Sequence, residues 1–145
     1  ILIVSGIILL LIISLLFCPK LFISKIEDVK NSVVMLEVYN SRNELIATGS
    51  GFCAYKDNYI VTNFHVIDGA YSVKVITDDK KKIDSGGVVF FDKEEDLALI
   101  TIDGKLKPLK IGNSNNLKIK SKVTAIGSPM GELNTVSEGI ISNID

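Results

Sequence analysis

Residues 33–62 read VVMLEVYNSRNELIATGSGFCAYKDNYIVT, and this stretch decides the fold. It contains three apolar runs rich in β-branched residues, and two short polar turns separate them, at Ser41–Glu44 and Lys56–Asn58. Similar runs follow at short, regular intervals, which is typical of an all-β barrel or sandwich. Only Asn63–Asp68 is interpreted as a helical turn in the chain after residue 30. The predicted strands are Val33–Tyr39, Leu45–Tyr55, Tyr59–Thr62, Ser72–Ile76, Val88–Phe91, Leu97–Ile102, Val123–Ile126 and Val136–Ile141.

Two glycines, Gly49 and Gly51, interrupt the second of these runs. Glycine weakens a strand, and it often marks a bulge or a place where another segment approaches the backbone closely. Two interpretations stay open from the sequence alone. The glycines form a corner of a barrel, or they form a wall of a substrate cleft.

Charge is distributed unevenly along the chain of 145 residues, which has a net charge of -1. No charged residue occurs in Ile1–Pro19. At 1.5 Å per residue, this stretch spans about 28 Å as a helix, which is close to the thickness of a membrane core. We therefore predict a transmembrane helix, with a signal peptide as the alternative. Lys20, Lys25 and Lys30 weakly favour a cytoplasmic body by the positive-inside rule.

The remaining 126 residues are long enough for one sizeable core, and their charges nearly balance. Such a balance gives no basic surface for nucleic acid, so we expect no nucleic-acid partner. Cys18 and Cys53 form no disulfide framework and no metal-binding spacing. Cys53 is expected to be a small buried residue. We predict no cofactor and no metal.

One histidine and one aspartate are candidates for chemistry. His65 is the only histidine, and imidazole is the usual general base near neutral pH. Asp96 opens the apolar run Asp96–Ile100, where a buried carboxylate needs a partner. A buried Asp that accepts a hydrogen bond from a His ring would orient the ring and stabilise its cation. The alternative is that Asp96 simply ends the polar turn Asp92–Glu95.

Several segments, in order, resemble the HtrA/Deg family of trypsin-like serine proteases. Together they cover about Val33–Asp145, and an ordered set is far more specific than any one segment. The resembling segments are Gly49–Phe52 with Tyr59–Ala70 around the catalytic His, Asp96–Ile100 around the catalytic Asp, Pro108–Ser114 between the barrels, and Val123–Gly131 with Thr135–Ser142 at the opening of the second barrel.

The resemblance implies an all-β, chymotrypsin-type double β-barrel. After the transmembrane helix predicted at 1–19 and a short polar linker at 20–31, it implies a complete first barrel at 32–105 and the start of a second barrel at 106–145. His65 would be the general base and Asp96 its orienting partner. The substrates would be unfolded or damaged polypeptides. The protein would be a single-pass membrane protein with an extracytoplasmic protease domain, and this family argument outweighs the weak lysine signal for a cytoplasmic body. A homo-oligomer is compatible with it.

The family nucleophile lies in a Gly-x-Ser-Gly-Gly loop, and the sequence contains no such loop. Ser114, Ser137 and Ser142 lack the surrounding glycines, and Ser114 also precedes the second-barrel strands. We therefore expect a second barrel truncated before the nucleophile, and an inactive chain as given. Two alternatives remain open: a non-catalytic barrel that binds peptides or partner proteins, and a barrel protease with a Cys nucleophile.

Overall fold

A computed structural model describes residues 26–144, apart from the side chain of Met130, and its main feature is a closed barrel of six strands. All neighbouring strands pair antiparallel, in the order β1-β2-β3-β6-β5-β4. The prediction of an all-β fold with a closed barrel is confirmed. The strands are β1 Val33–Tyr39, β2 Leu45–Cys53, β3 Tyr59–Thr62, β4 Ser72–Ile76, β5 Lys82–Asp92 and β6 Leu97–Ile102.

The barrel encloses a core of aliphatic side chains. On β1, Val34, Leu36 and Val38 alternate along the strand and are fully buried, as the two-residue period of a strand requires. Ile60 of β3 and Ile100 of β6 meet them from other strands of the barrel. Full burial of a side chain of this kind contributes about 1.5–3 kcal/mol, so the core is the main source of stability here.

A second, smaller element follows the barrel: the antiparallel hairpin of β7 Lys122–Gly127 and β8 Thr135–Ile140. Most of its side chains are exposed. Buried polar groups at its closed end join it to the barrel. The backbone N–H of Ser128 donates to Oγ of Ser50 at 2.8 Å, and Nδ2 of Asn134 donates to Oδ1 of Asp78 at 2.7 Å.

Several boundaries differ from the sequence-based prediction by one or two residues, and two regions differ by more. β5 begins at Lys82 rather than Val88, because residues 82–84 pair with β4 before the rest of the strand turns to β6. This first half of the strand contains a single apolar residue, Ile83, and therefore lacks the apolar pattern that predicts a strand. Residues 26–30, within the predicted linker, are helical. The predicted helical turn is present as α1 Phe64–Ile67.

No helix within residues 26–144 is long and apolar enough to cross a membrane. The predicted span Ile1–Pro19 and Cys18 lie outside the described residues.

Candidate active site

His65 lies on α1, a four-residue helix between β3 and β4. Val66 and Ile67 of α1 are buried against the barrel, whereas the side chain of His65 is 71% exposed. The apolar half of the helix therefore anchors it and turns the imidazole outward.

Gly49 is the residue that lets α1 lie so close to β2. A Cβ at position 49 would come within 2.5 Å of Cγ1 of Val66, which is a clash. Gly51 similarly makes room for Ile60. Both glycines therefore lie where another side chain approaches the backbone closely. Gly51 also lines an open groove of about 340 Å³, whose lining includes Asn63 and Leu97.

Asp96 immediately precedes β6, and its backbone has φ of 50°, in the left-handed region that few non-glycine residues adopt. Its carbonyl oxygen accepts a hydrogen bond from the N–H of Phe64 at 3.2 Å. This bond joins the start of β6 to the start of α1. The side chain is not buried, contrary to the sequence-based expectation, because 42% of it remains exposed at the rim of the barrel.

The structure brings His65 and Asp96 into direct contact. Nδ1 of His65 lies 2.7 Å from Oδ2 of Asp96, and the backbone N–H of His65 donates to Oδ1 at 2.9 Å. The carboxylate is thus held at both oxygens by a single residue. These bonds hold the pKa of Asp96 below its ordinary value. The bond from the backbone N–H of His65 lowers the pKa most, and the bond from the imidazole comes next. With Nδ1 donating to the carboxylate, Nε2 is left as the basic nitrogen of the neutral ring.

The three candidate serines lie within the described residues, and none of them is hydrogen-bonded to the ring of His65. Ser114 begins a 3₁₀ turn, Ser137 lies in β8, and Ser142 follows β8. All three are exposed.

Cys53 is buried and free, as predicted. Its thiol donates to the carbonyl of Lys56 at 3.3 Å, and desolvation raises the pKa of the thiol. A raised pKa disfavours the thiolate that a nucleophile needs. Cys53 is therefore a core residue rather than a candidate nucleophile.

Sequence reasoning missed two features beside the pair. Asn63 contacts Asp96 through its side-chain amide. In addition, the ring of Phe64 packs against that of Phe91 with centroids 5.3 Å apart, and Nζ of Lys93 lies 4.9 Å from the centre of the Phe64 ring. Asn63 and Phe64 directly precede His65 in the sequence, and this position could have identified both of them as neighbours of the site.

Residues 49–145 match the family model of the trypsin-like peptidase domain. The chain therefore belongs to the family of trypsin-like peptidase domains.

Within this family, the chain is similar to the HtrA/Deg proteases. It is 43% identical over 102 residues to a probable periplasmic serine endoprotease, DegP-like, of Pseudomonas savastanoi, covering 70% of this chain and 21% of the relative. It is 42% identical over 100 residues to Protease Do-like 1, chloroplastic, of Arabidopsis thaliana, covering 67% and 23%. The resemblance to HtrA/Deg proteases is thus confirmed.

Another relative has a different name. The chain is 34% identical over 128 residues to the anti-sigma-I factor RsgI9 of Acetivibrio thermocellus, covering 87% of this chain and 18% of the relative. The chain spans about a fifth of the length of these curated relatives.

Proposed function

We propose that this protein is a serine endopeptidase of the HtrA/Deg type, in which His65 is the general base and Asp96 orients it. The observation that carries the proposal is the 2.7 Å contact between Nδ1 of His65 and Oδ2 of Asp96. The second bond, from the backbone N–H of His65 to Oδ1, holds the carboxylate in the orientation that the ring requires. The names of the DegP-like and Do-like relatives, a serine endoprotease and a protease, support the choice of reaction.

In this mechanism, Nε2 of His65 removes the proton of a serine hydroxyl as its oxygen attacks the peptide carbonyl carbon. The same nitrogen then gives that proton to the leaving amine, and the peptide C–N bond breaks to leave an acyl-enzyme. Water, activated in the same way, hydrolyses the ester and restores the serine. Asp96 stays ionised throughout and stabilises the imidazolium, as its lowered pKa favours.

The remaining parts of the proposal concern the serine, the substrate and the location. No Gly-x-Ser-Gly-Gly loop occurs in the sequence, so we place the nucleophile and its oxyanion hole outside these 145 residues, in a second barrel that begins with β7 and β8. The substrates are unfolded or damaged polypeptides. The domain is extracytoplasmic, in line with the periplasmic relative, and Ile1–Pro19 anchors it as a single span.

The test begins with the DNA that adjoins this coding sequence. If it encodes a Gly-x-Ser-Gly-Gly loop, the extended protein should cleave unfolded casein and react with a fluorophosphonate probe. The 145-residue chain should do neither. Asp96→Asn in the extended protein should lower kcat by about 10⁴-fold with the fold intact. Labelling of the 145-residue chain that His65→Ala abolishes would contradict the assignment of the nucleophile.

A second function is supported by one specific observation, the similarity to an anti-sigma-I factor over 87% of the chain. In that case the barrel would be a non-catalytic module that binds peptides or a partner protein within a regulatory protein. An adjoining sequence without any nucleophile loop, and a whole protein that binds unfolded casein without cleaving it, would favour this function over the first.

A further inference from the structure

The side chain of Asn63 makes two hydrogen bonds to one residue. Its Nδ2 donates to the backbone oxygen of Asp96 at 3.1 Å and to the carboxylate oxygen Oδ2 at 3.2 Å. Oδ2 is also the oxygen that contacts Nδ1 of His65. The amide of Asn63 and the imidazole of His65 therefore share one acceptor.

The orientation of this amide follows from its surroundings. Both atoms that face the amide nitrogen are acceptors, a carbonyl oxygen and a carboxylate oxygen, so only the NH₂ group of Asn63 can satisfy them. Each of its two hydrogens has its own acceptor. The amide therefore links the left-handed backbone of Asp96 to its own carboxylate.

We propose that Asn63 is a positioning residue that holds the carboxylate of Asp96 in the orientation in which Oδ2 faces Nδ1 of His65. Three hydrogen bonds then define the carboxylate: two from His65 and one from Asn63. Without the amide, one of these three bonds is lost and water can compete with the imidazole for Oδ2, since 42% of the Asp96 side chain is exposed. The role of Asn63 in catalysis rests on the proposed function, whereas its effect on the ring does not.

A purely structural role for Asn63 is distinguishable from this one. Asn63 is the N-cap residue of α1, yet its side chain makes no capping hydrogen bond. Asp and Asn are about equally good N-caps, so a capping or packing role predicts that Asn63→Asp is tolerated. The positioning role predicts the opposite, because a carboxylate cannot donate and would repel Asp96.

The experiment is ¹⁵N NMR of the 145-residue chain, in detergent because of its apolar first residues, at a pH where the imidazole is neutral. His65 is the only histidine, so the two ring nitrogen signals report its tautomer without assignment ambiguity. In the parent, the form with the proton on Nδ1 should predominate. Asn63→Asp and Asn63→Ala should each lower the ratio of the Nδ1–H to the Nε2–H form about threefold or more, as coupling between contacting residues allows.

A matched control is Asn113→Asp. Asn113 is also an N-cap residue, of the 3₁₀ turn Ser114–Asn116, and its side-chain oxygen accepts from the N–H of Asn115 at 3.0 Å. Because Asp keeps such an acceptor, this variant should leave both the fold and the tautomer ratio of His65 unchanged. Circular dichroism of each variant checks that the barrel is intact.

In the whole active protein, Asn63→Asp should lower kcat roughly 10- to 100-fold with little change in KM, since the effect is on geometry in the reacting complex. A folded Asn63→Asp variant with the parent's tautomer ratio would overturn the positioning role alone. A parent in which the Nε2–H form predominates would contradict the pairing of His65 with Asp96, and with it the proposed function.

Discussion

The barrel and the hairpin are both antiparallel, but they are stabilised in different ways. In the barrel, six strands close on themselves, and side chains such as Leu36 and Ile100 are almost completely buried. In the hairpin, Ile140 is 59% exposed and most neighbouring side chains are exposed as well. The hairpin depends on polar contacts at Ser128 and Asn134. The comparison teaches that strand pairing alone does not make a stable element, because stability comes from what each sheet buries.

The largest expected effect tests the barrel core. Leu36→Ala should lower the free energy of unfolding by about 2–5 kcal/mol, because it leaves a cavity among fully buried side chains. Urea denaturation followed by circular dichroism measures this. The matched substitution in the hairpin, Ile140→Ala, should change it by less than about 0.5 kcal/mol. Equal losses from the two variants would contradict the comparison.

The next effect contrasts two glycines in strands. Gly49→Ala should lower the free energy of unfolding by up to about 3 kcal/mol, since the new methyl group clashes with Val66 and displaces α1. It should also disturb the NMR signals of His65. In β8, a Cβ at Gly139 meets nothing within 4 Å, so Gly139→Ala should be neutral or slightly stabilising. A tolerated Gly49→Ala would show that the barrel wall can move away from α1.

A smaller effect is expected at the attachment of the hairpin. Asn134 is buried, has φ of 50°, and donates through Nδ2 to Asp78 and to the carbonyl of Lys30. Asn134→Asp tolerates the same backbone but loses both donations. The free energy of local opening, measured by amide hydrogen exchange, should then fall by roughly 1–2 kcal/mol in β7 and β8 and stay unchanged in β1.

The control for this variant is Asn43→Asp, which has φ of 59° in an exposed turn. It should leave exchange unchanged in both elements. If Asn134→Asp loosened the barrel as much as the hairpin, the two would form one cooperative unit, and the distinction drawn above would be wrong.

The smallest effect concerns pH at the rim of the barrel. The pKa of Asp96 is lowered in the folded protein, so its contribution to stability is complete above the ordinary value of 3.8 and is lost as the pH falls through the folded pKa. Thermal melts between pH 7 and pH 2 should therefore show a small loss at the acid end. Asp96→Asn should remove that part of the pH dependence. An Asp96→Asn variant with the parent's pH profile would show that the pair adds nothing to stability.

Much of the barrel could be predicted from local pattern. The bounds of β1, β3, β4 and β6 agree with the predicted strands, because β-branched and apolar residues dominate each of them. The first half of β5 was missed because residues 82–87 are polar or glycine, apart from Ile83. It is a strand only because β4 and β6 supply its hydrogen-bond partners.

The sequence by itself determined the all-β fold class, since the spacing of apolar runs and turns is a local property, and its resemblance to HtrA/Deg proteases predicted that His65 and Asp96 form a pair. Only the tertiary structure decided how that pair is arranged. The exposure of Asp96, its left-handed backbone and the amide of Asn63 on its carboxylate all arise where α1 meets the start of β6. Residues separated by more than 30 positions meet there, and no local pattern encodes the geometry of such a contact.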